Sequence, residues 1–131
     1  MLFMCNEDRT LLIEILKKIR DSLEIILYRF EPIKRISDFT DSPWGMEKLD
    51  SICMQLIAIG EAIKNIDKIT KGNLLMKYPN IDWKGVKGMR DIISHHYFDV
   101  DAEIIYEVCK NKIPELKETI DQILTDIEKQ L

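Results

Sequence analysis

Leu12, Leu16, Ile19, Leu23, Ile26 and Phe30 recur at alternating spacings of four and three residues. That spacing keeps them on one side of an α-helix, as a stripe suited to nearly antiparallel packing on neighbouring helices. A second stripe, Leu49, Ile52, Leu56, Ile59, Ile63 and Ile66, repeats the pattern. No run alternates with period two for long enough to be a strand. Five Gly and four Pro in 131 residues are too few for a turn-rich β fold. The expectation is an all-α, up-down bundle of four to six helices, forming a single domain over residues 1–131.

Local signals place the helix ends. The first helix should run from about Asp8 to Phe30 and stop at Glu31-Pro32, because a residue before proline is biased away from helical angles. Ser37-Asp38-Phe39-Thr40-Asp41 reads as a polar connection. Ser42 is an N-cap with Pro43 at the first helical position, opening a helix to about Ile66. On that helix Ser51, Ala58 and Ala62 line another face, and Gly60 lies near the stripe. Small residues there suit either one close neighbour within the chain or a subunit interface. Thr70 to Tyr78 should form a short helix closed by Pro79, and Asp82 should cap a helix beginning at Trp83. Asp99 or Asp101 caps the next, with Ile104, Ile105 and Val108 facing inward. Pro114 kinks that helix or starts another, whose apolar side is Leu116, Ile120, Ile123 or Leu124, Ile127 and Leu131.

Charge narrows the function. Nineteen Lys and Arg against 23 Asp and Glu give a net −4, which argues against coating nucleic acid by charge alone but allows a local basic site. Cys5, Cys53 and Cys109 are odd in number and widely spaced, as reduced thiols of a cytoplasmic protein would be. The opening MLFMCNEDRT is too short and too soon charged for a signal peptide, and no apolar run approaches the ~20 residues of a membrane span.

The chemistry-bearing stretch is Met89-Arg90-Asp91-Ile92-Ile93-Ser94-His95-His96-Tyr97, which holds the only two histidines. Arginine stays charged and grips phosphate oxygens, while histidine exchanges protons near neutral pH. On a helix Val86, Met89, Ile93 and Tyr97 share the core face, with Arg90 at its edge. Lys84, Lys87, Asp91 and His95 share the opposite, polar side. Asp91 lies four residues before His95 and could orient its imidazole. Arg90 and His95 are roughly 140° apart on a straight helix, so they converge if the helix loosens, if Arg90 wraps round, or if a second subunit completes the site. Gly85 and Gly88, just before the arginine, suit either a close approach or a loosely wound helix start.

Ordinary readings stand beside these. His95-His96 also fits helix-end polarity, Arg90 could simply pair with Asp91 or Glu61, and Tyr97 could be core. Glu61 is by default a solvated glutamate; the alternative is burial beside Arg90 or a histidine. Adjacent histidines diverge by about 100°, which makes a metal site a poor fit, and no cofactor is expected.

Arg90-Asp91-Ile92-Ile93-Ser94-His95 resembles the arginine, polar residue, three residues, histidine pattern of the HEPN superfamily of helical ribonucleases. With Tyr97 it resembles the Arg-x4-His-x-Tyr motif of the HepT branch, toxins of HepT/MntA toxin–antitoxin modules. Ile59-Gly60-Glu61-Ala62, Ile81-Asp82-Trp83 and Ile113-Pro114-Glu115-Leu116 are similar to that family too, so the likeness covers nearly the whole chain. The resemblance implies an all-helical homodimer that cleaves RNA without a metal, His95 moving protons, Arg90 stabilising phosphate charge and Asp91 supporting His95. Glu61, Lys87 and His96 are further supporting candidates. It also implies a nucleotidyltransferase partner of the MntA type that adds AMP to Tyr97. The alternative is a non-catalytic helical partner subunit of such a nucleotidyltransferase.

Overall fold

The computed structural model describes residues 4–95 and 99–130, with the backbone alone of His95. Every regular element among them is helical. α1 (Asn6–Phe30) is capped by Cys5, whose sulfur accepts from the Asp8 N–H at 3.4 Å. Its stripe is buried as expected at Leu12, Leu16, Ile19, Leu23 and Ile26. α3 (Pro43–Thr70) opens on Ser42, whose Oγ accepts from the Gly45 N–H at 3.0 Å. It runs a turn further than the apolar stripe, to the buried Thr70, whose hydroxyl donates to the Ile66 carbonyl at 2.8 Å.

Three sequence expectations need correction. The supposed polar connection before α3 folds into a short helix, α2 (Ser37–Thr40), which inserts Phe39 fully into the core against Phe30. The segment after Thr70 is a turn with one 3-10 turn at Leu75–Lys77 rather than a helix. In α5 (Ala102–Glu107), capped by Asp101, Ile105 is buried but Ile104 faces solvent. Within the single chain Ala58 is exposed, so part of the small-residue face of α3 has no neighbour among the described residues.

Between α5 and α6 (Ile113–Lys129) the chain passes through a π-helical turn, Val108–Lys112, directly before Pro114. Proline has no N–H to continue the α ladder and its ring crowds the preceding turn. A widened turn absorbs both, so Pro114 bends a continuous helical path rather than breaking it. The buried side chains form one continuous cluster, with α3 packed against α1 and α4 (Trp83–His95), and α1 closing onto α6. Leu131, expected on the last stripe, lies outside the described residues. No helix among the described residues is long and apolar enough to cross a membrane.

Candidate active-site helix

α4 is fixed first by its own start. The Asp82 carboxylate accepts from the Gly85 N–H at 3.0 Å. A Cβ on Gly85 would lie 2.4 Å from that same carboxylate, so glycine here makes room for the cap. Just before α4 a small network ties the chain to α6. Tyr78 donates to Asp126 Oδ2 at 2.5 Å, Asn80 donates to Thr119 Oγ1 at 3.0 Å, and the Trp83 indole donates back to the Tyr78 carbonyl at 2.9 Å. Burial and the Asp126 carboxylate push the Tyr78 phenol well above its usual range, which keeps it a donor. The hydrogen bonds from Tyr78 and then Gln122 hold Asp126 below the ordinary carboxylate range.

Met89 and Ile93 anchor α4 in the core, Val86 is half-buried, and Arg90 sits at the edge of that face, as the helical period predicted. Gly60 sets the distance to α3. A Cβ there would lie 3.0 Å from the Val86 carbonyl oxygen and 3.9 Å from the Arg90 amide nitrogen. The close neighbour of Gly60 is therefore α4 of the same chain.

Two ion pairs then cross from α3 to α4. Glu61 Oε1 meets Arg90 Nε at 3.1 Å, and Asp67 Oδ2 meets Lys87 Nζ at 2.7 Å. Glu61 also holds Lys64 Nζ at 3.6 Å, and Asp91 Oδ1 lies 3.8 Å from Arg90 Nη1. Glu61 thus pairs with Arg90 while staying about half exposed; it is neither the solvated glutamate nor the buried one considered from sequence. Ion pairs this exposed stabilise a fold little. Their consequence is positional: Glu61 lies beside Nε of the Arg90 guanidinium, while other N–H donors of that group can still meet a phosphate.

Arg90, Asp91 and Glu61 are therefore neighbours, and Lys87 lies one turn earlier on the same flank. The His95 side chain, His96 and Tyr97 lie outside the described residues, and so does the Asp91–His95 pairing read from spacing. Sequence reasoning missed Asp67 and Lys64. Lys64 was findable as the i+3 partner of Glu61, whereas Asp67 meets Lys87 only through the way α3 and α4 cross. Gly88 has nothing within 4 Å of an added Cβ, so it serves no close approach among the described residues.

On its other side α4 borders a hollow of about 310 Å³ lined by Leu56, Ile59, Val86, Met89, Ile92 and Leu116 among others. Its mostly apolar wall offers few groups to orient a polar cofactor. Among the described residues no three His, Cys, Asp or Glu side chains converge as a metal site.

Residues 12–123 match the family described as Ribonuclease HepT-like. The chain is 36% identical over 104 residues to a protein of Methanocaldococcus jannaschii provisionally named as an RNase, covering 75% of this chain and 83% of that one. A second M. jannaschii protein with the same provisional naming is 42% identical over 76 residues, 58% of each chain. A Thermococcus cleftensis protein, named as a probable ribonuclease HepT, is 31% identical over 108 residues, 82% of this chain and 91% of that one. No solved structure matches. With the family match spanning most of its length and an all-helical bundle to carry it, this chain belongs to the HepT-like family.

Proposed function

We propose that this chain is a single-domain, cytoplasmic endoribonuclease and the toxin of a toxin–antitoxin module, cleaving RNA without a metal ion. The observation that carries this reading is Arg90, pinned at Nε by Glu61 yet half exposed, five residues before His95 on the helix that bears the family motif. His95 draws the proton from a ribose 2′-hydroxyl, whose oxygen attacks the adjacent phosphorus. The bond from phosphorus to the 5′-oxygen breaks, and His95, now protonated, gives its proton to the leaving oxygen. Arg90 stabilises the charge that builds on the phosphate oxygens. Asp91 supports His95, and Lys87 adds positive charge one turn away. His96 is a neighbouring candidate without an assigned step.

Homodimerisation supplies what one straight helix lacks. Two copies of α4 facing a shared cleft bring the arginine of one to the histidine of the other. An MntA-type nucleotidyltransferase antitoxin then silences the site by placing AMP on Tyr97, adding negative charge and bulk where the RNA phosphate must bind.

The test is cleavage of total RNA and tRNA by purified protein in the presence of chelator, beside Arg90→Ala and His95→Ala. Cleavage by the parent should fall ~10²–10⁴-fold in the His95 variant, the usual worth of a general acid–base group, and fall steeply in the Arg90 variant. Equal cleavage by all three would remove these residues from the mechanism. No cleavage by any form, from protein shown by mass to lack AMP on Tyr97, would favour a non-catalytic partner of the nucleotidyltransferase.

A further inference from the structure

The charge of this acidic chain is unevenly placed. Residues 61–91 carry seven Lys and Arg against four Asp and Glu, while the rest carries twelve against nineteen. The surplus falls beside Arg90. On α3, Lys64, Lys68 and Lys71 follow Glu61 at steps of three, four and three, and so share its face. The Glu61–Arg90 and Asp67–Lys87 pairs show that α4 runs back along α3, so Lys84 stands one turn beyond Lys87 toward the far end of the same flank. Lys68, Lys71 and Lys84 are exposed and make no ion pair among the described residues, unlike Lys64, Lys87 and Arg90 nearer the motif.

Lys71 adds an independent sign. It ends α3 in the left-handed conformation, φ 54° and ψ 37°, the only positive-φ residue other than glycine among those described. Glycine is the usual occupant of this helix-ending position because a Cβ is disfavoured there. Here a lysine stands at that position, where the basic flank ends.

We infer that RNA on one side of the scissile phosphate lies along this flank, its phosphates met in turn by Lys64, Lys68 and Lys71 of α3 and by Lys84 of α4. The inference rests on the ribonuclease reading above and extends it to how the strand is held. From Glu61 to Lys71 the helix rises about 15 Å, enough to follow a few nucleotides rather than an extended duplex. Local contacts of this kind reconcile an acidic protein with a polyanionic substrate.

The experiment is binding of a short labelled single-stranded RNA, measured by anisotropy across about 50–200 mM salt. All proteins carry His95→Ala so that the probe is not cut. The combined Lys68→Ala, Lys71→Gly and Lys84→Ala variant is compared with Lys17→Ala, Lys18→Ala and Lys129→Ala, which removes equal charge from exposed sites elsewhere. Three lost phosphate contacts should lower the salt slope by about 2 and weaken binding up to about a hundredfold near 0.1 M salt. The control set should change neither much. Lys71→Gly alone should melt at a higher temperature than its parent yet bind RNA more weakly, a split that a purely structural lysine would not give. Equal weakening by both triple sets, or none in the flank set, overturns the inference. If the chain with its motif intact cleaves RNA in that case, the ribonuclease reading survives. If it neither cleaves nor binds, both fall together.

Discussion

Alanine at Gly60 and alanine at Gly88 should have opposite effects, although both glycines lie inside helices. Replacing glycine by alanine in a helix interior is worth about 0.5–1 kcal/mol in backbone propensity. At Gly88 the new methyl meets nothing within 4 Å, so Gly88→Ala should keep that gain. At Gly60 it would stand 3.0 Å from the Val86 carbonyl oxygen and 3.6 Å from that of Lys87. Both are backbone atoms of a packed helix, not the loose end of a side chain, so α4 as a whole must retreat by a few tenths of an ångström. Overpacking of this sort costs about 1–3 kcal/mol, leaving Gly60→Ala from neutral to about 2 kcal/mol less stable than its parent. The two variants should differ by roughly 1–3 kcal/mol, or about 4–12 °C in melting temperature for a chain of this size. The retreat also draws Arg90 from Glu61, so cleavage should fall several-fold in Gly60→Ala even where the protein is fully folded. Urea and thermal unfolding of both variants, with cleavage assayed well below either midpoint, provide the check. Equal stabilisation by the two alanines would refute the claim that Gly60 sets the α3–α4 distance.

Two further outcomes follow from titrating groups. Asp126 has its carboxyl lowered in the folded state, so the stability it contributes is present above the unfolded value near 3.9 and is lost as pH falls through the folded one. Asp126→Asn should therefore be less stable than the parent at pH 5, with the difference shrinking at lower pH; a constant difference down to pH 2 would disprove the linkage. Burial pushes the Cys53 thiol up to about 11 and the Cys109 thiol up to about 12, whereas Cys5 is exposed. A thiol reagent at pH 8 should modify one cysteine promptly in the native protein and all three after unfolding, and rapid modification of three in the native state would contradict their burial.

The long helices were legible because their cores repeat. Leu12 to Ile26 and Leu49 to Ile66 each present a face of single polarity, and burial followed the period residue by residue. Caps at Ser42, Asp82 and Asp101 were legible for a different reason, since each is a local contest for backbone N–H groups. What failed were places where one residue departs from its neighbours. Phe39 is a lone aromatic among polar residues, and nothing local says that a four-residue helix will deliver it to the core. Ile104 and Ile105 are adjacent, about 100° apart on the helix, and on this short helix only Ile105 is turned into the core. At the candidate site, Arg90 and its flank followed from sequence, and Glu61 was named without its geometry. The Asp67–Lys87 pair depends on how two helices cross, which periodicity within either helix does not encode.

The pairing of α3 with α4 also bears on the order in which the chain assembles. Glu61 and Arg90 are 29 residues apart, whereas the Arg9 guanidinium reaches the Ile127 carbonyl across 118. Loop-closure entropy makes the shorter contact easier to form by about 1 kcal/mol. The helix pair that bears the motif can therefore dock while the two ends of the chain are still apart. The meeting of α1 with α6, remote from Arg90, closes the longer loop and carries the larger entropic cost. Strain or truncation at the termini would then slow the final closure of the bundle before it disturbed the surface on which Arg90 is held.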